Sequence, residues 1–75
     1  MQDRYTGKVK FFNQEKGYGF IMPDDRTINN GADVFVHVRD LEESNLSMLE
    51  EDLKVSFELG EHRGKTKASN IQIEG

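Results

Sequence analysis

The chain has 75 residues, with ten Lys or Arg against fourteen Asp or Glu and a formal net charge of −4. A chain of this length is a single domain, taken as 1–75, that buries only about 60% of its unfolded surface, so one modest core is possible but not a sheet covered on both faces. The lack of cysteine excludes a disulfide framework and a thiolate zinc site, and no apolar run approaches the roughly 18 residues that a membrane helix requires.

The opening MQDRYTGKVK lacks the apolar run of a secretory signal, so a cytoplasmic location is expected. The negative charge argues at first against a polyanionic partner, but it is unevenly spread. Residues 1–38 balance Arg4, Lys8, Lys10, Lys16 and Arg26 against Asp3, Glu15, Asp24, Asp25 and Asp33. The whole excess lies later, chiefly in Asp40, Glu42, Glu43, Glu50, Glu51 and Asp52, and reads as a solvated acidic loop.

In chain order, a first strand is predicted from Tyr5 to Asn13 and a second from Tyr18 to Met22. The tight turn Glu15-Lys16-Gly17 joins them. Pro23 closes the second strand, and DDRTINNG after it is rich in turn formers. The third strand is expected from Asp33 to Val38. Next, Ser47-Met48-Leu49-Glu50 matches a capping box, and Leu46, Leu49 and Leu53 stand at helical spacing. A loop with a short helical turn is therefore expected there. A fourth strand runs from Leu53 to Leu59 with Val55, Phe57 and Leu59 inward and Lys54, Ser56 and Glu58 outward. After Gly60–Gly64, a fifth runs from Thr66 to Ile73 with Ile71 and Ile73 inward. Short strands without a long helix leave an all-β barrel or sandwich. Closure into a small barrel is favoured because it removes edges that so small a sheet cannot protect.

Alternation then exposes a conflict. Val34, Val36 and Val38 share one face of the third strand, and Phe35 and His37 the other. Ile21 opposes Tyr18 and Phe20 in the second. The aliphatic set fills a barrel interior well. Burying the rings instead would expose three valines, and burying both faces needs a covering layer this chain is too short to build. Tyr18, Phe20, Phe35 and His37 are therefore expected as an exposed patch, which marks a binding surface. With Lys8, Lys10, Lys16, Arg63, Lys65 and Lys67 nearby in sequence, rings and cations interleave as single-strand nucleic-acid binding requires, bases stacking and cations following phosphates.

These residues resemble those of the bacterial cold-shock proteins and of the cold-shock domain in Y-box proteins. The likeness runs from Thr6-Gly7-Lys8-Val9-Lys10-Phe11-Phe12-Asn13 through KGYGFI (Lys16–Ile21) and DVFVH (Asp33–His37), which resemble the family's two ribonucleoprotein motifs. It continues through Leu49-Glu50-Glu51 and Val55-Ser56-Phe57 to Ala68-Ser69-Asn70-Ile71. The resemblance implies a five-stranded antiparallel Greek-key barrel of the OB-fold type that binds single-stranded RNA and DNA. It also implies an RNA chaperone, often with transcription antitermination. Carried over, Phe11, Phe20, Phe35 and His37 would stack bases with Tyr18 and Phe12 beside them. Lys10, Lys16 and Arg63 would serve backbone or base edges, and Lys65 adds local positive charge. Because Phe11 and Phe12 are adjacent, exposing Phe11 requires a bulge or a strand end.

The departures bear on strength. Phe11 stands where the family usually has tryptophan, and Val38 and Leu46 stand where rings are common, so a narrower platform is expected. Asp52 replaces a turn glycine, which Asp tolerates better than most residues. The loop Asp24–Ala32 is longer than usual.

Other chemistry fits poorly. His37 and His62 without cysteine make no zinc set. Gly17-Tyr18-Gly19 lacks the strand–loop–helix context of a dinucleotide site. No catalysis, cofactor, small-molecule substrate or membrane partner is expected, and a barrel with closed edges is expected as a monomer. The competing reading is a protein-interaction module using the same patch.

Overall fold

The computed structural model describes residues 4–74. Five strands, β1 (Tyr5–Asn13), β2 (Tyr18–Pro23), β3 (Val34–His37), β4 (Lys54–His62) and β5 (Lys65–Ile73), close into a barrel in the order β1-β2-β3-β5-β4. One short helix, α1 (Val38–Glu43), follows β3. All pairings are antiparallel except β3 with β5, a brief parallel contact at Phe35 and Lys67. The inward set is mainly aliphatic: Val9, Ile21, Val34, Val36 and Val55 are fully buried, with Phe57 among them. The barrel also brings in Leu41, Leu49, Ala68 and Ile71.

The bulge required in β1 falls at Lys10. Val9 faces Ile21 and Phe11 faces Phe20, so two steps of β1 match one of β2. An extra residue resets the alternation. As a result Val9 points inward, Phe11 joins the outer rings, and Phe12 turns back to pack against the core.

Four expectations require correction. Val38 does not continue β3. The side chain of His37 accepts the Arg39 N–H (3.1 Å) and that of Asp40 accepts the His37 N–H (3.3 Å). This reciprocal cap starts a helix one residue early. The segment Ser47–Leu53 holds no helix. Its backbone is bonded to β1 instead, with Asp52 N–H to Val9 O (2.8 Å) and Val9 N–H to Leu53 O (2.9 Å). Asp52 there takes φ 64°, the left-handed conformation foreseen for it. Ser56 is buried, not outward. Its hydroxyl is satisfied, accepting from Arg4 Nη2 (2.9 Å) and donating to Glu74 Oε2 (2.8 Å). Ile73, expected inward, is 48% exposed at the end of β5.

The long loop after β2 is internally bonded: Arg26 Nη2 donates to Gly31 O (2.7 Å) and Asn29 Nδ2 to Asp33 O (2.9 Å). At its start, Asp24 accepts from Lys54 and from Thr6 Oγ1 (2.7 Å), and these bonds, Lys54 first, hold its carboxyl below the ordinary value. A carboxyl lowered in the folded state stabilises above its unfolded pKa, about 4, and that contribution is lost as pH falls through the lowered value. Lys54→Met is therefore expected to lose stability relative to wild type at neutral pH and to converge toward it in acid. Urea melts at several pH values check this; a gap between the two proteins independent of pH would contradict it.

Candidate nucleic-acid interface

The motif KGYGFI builds one wall of the site because β2 lies between β1 and β3 in the barrel. Its rings emerge on the outer face for the same reason that Ile21 is buried: successive side chains point to opposite sides of a strand. Register sets Phe20 opposite both Phe11 and Phe35, and Tyr18 opposite His37.

The five rings form one continuous patch. Centroids lie 5.6 Å apart for Phe11–Phe20, 5.8 Å for Phe20–Phe35, 6.1 Å for Tyr18–Phe35 and 6.3 Å for both Phe11–Tyr18 and Phe35–His37. Most pairs are tilted or edge-on, the preferred arrangement for aromatic contacts. The four six-membered rings are half-buried and His37 is exposed. The row of rings therefore remains partly open to solvent. His37 is oriented by its cap: Nδ1 accepts the Arg39 N–H, which directs the other ring nitrogen outward as a donor in the neutral form.

The basic residues divide into two groups. Lys10 beside Phe11 is paired with Asp33 at 3.1 Å, and Arg26 from the long loop lies 3.6 Å from the same carboxylate. Lys16 is exposed in the first hairpin. Arg63 and Lys65 stand across from Phe35 and His37, round a hollow also bordered by His62 and Lys67. Of the ten residues singled out from sequence, Phe12 is turned away from this face, toward the core. Val38, half-buried on α1, and Leu46, against the core, add nothing to the ring row. Arg39, Asp40 and His62 were missed. They reach the site through α1 and the β4–β5 hairpin, whose approach to β3 has no local sequence signal.

A small closed barrel carrying a ring-studded sheet face bordered by cations defines a class of surface-binding domain. The chain belongs to the 'cold-shock' DNA-binding domain family, whose profile matches residues 5–73. This is a family of nucleic-acid-binding, non-enzymatic domains built on the OB-fold. The chain is 48% identical over 69 residues to the probable cold shock protein y4cH of Sinorhizobium fredii, covering 89% of this chain and 94% of that one. It is 44% identical over 71 residues to the cold shock-like protein CspA of Shewanella violacea (95% and 96% covered). It is 46% identical over 66 residues to the cold shock protein CspD of Bacillus subtilis (88% and 92% covered). Among the described residues no helix is long and apolar enough to cross a membrane.

Proposed function

We propose that this protein binds single-stranded RNA and DNA as a monomer in the cytoplasm, stacking successive bases on Phe11, Tyr18, Phe20, Phe35 and His37. The observation that carries the reading is the unbroken, partly exposed row of five rings on a barrel whose described residues form no second layer over it. Each base stacked on an aromatic contributes about 1–3 kcal/mol whatever its identity, so sequence preference is weak. Affinity for unpaired strands alone shifts any hairpin toward its open form by mass action. An RNA chaperone, and an antiterminator where the hairpin is a terminator, follow from that shift.

Fluorescence anisotropy with a labelled oligothymidine tests the platform. Phe20→Ala and Phe35→Ala are each expected to weaken binding by about 1–3 kcal/mol, roughly 5- to 150-fold. Both should retain the wild-type circular dichroism, since neither ring is in the core. Salt should weaken binding, with a slope of about −0.7 per phosphate contacted. Because Lys10 is already paired with Asp33, that slope is expected to be shallow. Absence of binding at low salt, or variants that bind as tightly as wild type, would refute the platform and favour a protein-docking face.

A further inference from the structure

The positive charge open to a polyanion is concentrated at one end of the ring row. Among the described residues, ion pairs engage Arg4, Lys10, Arg26, Lys54 and Lys67, five of the chain's ten cations. Of the other five, Lys8 and Lys16 lie elsewhere, while Arg39, Arg63 and Lys65 gather round one cleft. Its volume is about 340 Å³, and Phe35, His37, Arg39, His62 and Arg63 line it. An adjoining hollow of about 260 Å³ shares most of these walls and adds Lys65. The one acid at the cleft, Asp40, is buried and already bound to Lys67 at 2.9 Å.

We propose that this cleft holds the terminal phosphomonoester of a bound strand whose last bases stack on Phe35 and His37. The proposal rests on the platform reading above and specifies how the platform ends. Three considerations lead to it. First, β3 stops at His37 and the chain turns into α1, so the stacking surface runs out where the cations begin. Second, a terminal monoester is the closer match in charge. Arg39, Arg63, Lys65 and Lys67 against Asp40 exceed the single charge of an internal diester, whereas a terminal monoester carries about −1.5 to −2 at neutral pH. Guanidinium forks can grip its oxygens in pairs.

Third, Arg63 is held at a cost. It occupies φ 53° ahead of Gly64 at φ 79°, the two-residue turn in which Asn-Gly is the easy choice. A long cation in that conformation is strained. The hairpin therefore carries at its tip, beside the cleft, a residue that the turn itself disfavours.

The test is a competition assay in which unlabelled hexathymidines displace a labelled oligothymidine. The competitors carry a 5′-phosphate, a 3′-phosphate or hydroxyls at both ends, with a hydroxyl-ended heptathymidine as control for one added diester. One phosphorylated end is expected to compete roughly 5- to 10-fold better than the hydroxyl strand, the scale of a charge-assisted bidentate contact. The heptamer should gain less. In Arg39→Gln and Arg63→Gln, with folding verified by circular dichroism, the ratio of phosphorylated to hydroxyl affinity should fall toward one, whatever happens to affinity itself. If hydroxyl strands bind but neither phosphate helps more than the added diester, or the ratio survives in both variants, the cleft proposal is wrong and the platform stands. If the probe does not bind at all, both are wrong.

Discussion

Replacing Gly19 by alanine is expected to destabilise the protein by about 3 kcal/mol or more, the upper range for overpacking. A small domain has only about 5 kcal/mol to lose. Gly19 sits in β2 facing Phe12 of β1, where the strands come together tightly. A Cβ there would collide with the Phe11 carbonyl oxygen and lie 2.7 Å from Phe12 Cα and its ring edge. Two of those atoms belong to the backbone of a paired strand and cannot swing aside. Gly17 offers a contrast two residues earlier. Its φ of 76° is costly for alanine, but the nearest atom to a new Cβ is a Val38 methyl at 3.2 Å. Gly17→Ala should therefore cost only about 1–2 kcal/mol. Gly60→Ala, where nothing lies closer than 3.6 Å, serves as the tolerant control. Urea melts followed by circular dichroism should rank the midpoints Gly60→Ala, Gly17→Ala, Gly19→Ala from high to low. A Gly19→Ala midpoint near wild type would show that the strands can separate to admit a methyl group.

The same glycine shows that the motif carries two kinds of residue. In KGYGFI the rings form the outer face and the glycines permit it. Gly17 turns the hairpin, and Gly19 lets β1 approach closely enough to align Phe11 with Phe20. Alternation was sufficient to place Tyr18, Phe20, Phe35 and His37 outside and Ile21, Val34 and Val36 inside, because a two-residue period leaves no third choice for a paired strand. It even required the break near Phe11, which appears as the Lys10 bulge.

What alternation cannot see is where a neighbour arrives. Ile73 has inward parity but stays half exposed, while Ser56 has outward parity and is buried because Arg4 and Glu74 close over it. The helical spacing of Leu46, Leu49 and Leu53 is genuine, yet the backbone of residues 52–53 is bonded to β1, and tertiary pairing outweighs a weak local preference. The real helix begins nine residues earlier than Ser47, at Val38, on a cap made by a histidine, a residue outside the usual capping set. The cleft was least legible of all. It depends on the parallel contact between β3 and β5, some thirty residues apart in sequence.

That contact gives the second large expected effect. Lys67→Met should cost about 3 kcal/mol, near the low end for breaking a buried ion pair. Asp40 is 3% exposed; Oδ1 accepts from Lys67 Nζ at 2.9 Å and Oδ2 from the His37 N–H at 3.3 Å. Without Lys67 a buried carboxylate is left facing one amide. Lys67 itself is 27% exposed, so water can partly fill its place, which argues for the lower figure. Asp40→Asn is a gentler change. The amide keeps an oxygen for the His37 N–H, and the released ammonium can swing into solvent, for a loss of about 1 kcal/mol. Asp40→Asn/Lys67→Met should then be more stable than Lys67→Met alone, a coupling that only directly interacting residues show. Urea midpoints of the four proteins decide the matter; a double variant no better than Lys67→Met would mean that Asp40 does not depend on this lysine. Binding should move the opposite way for Asp40→Asn. With Lys67 released beside Phe35, single-strand affinity should rise at low salt and the salt slope should steepen by about 0.7, the signature of one further phosphate contact. In the wild-type protein, the bond that fastens β5 to the β3–α1 corner also pairs a cation beside Phe35 with Asp40.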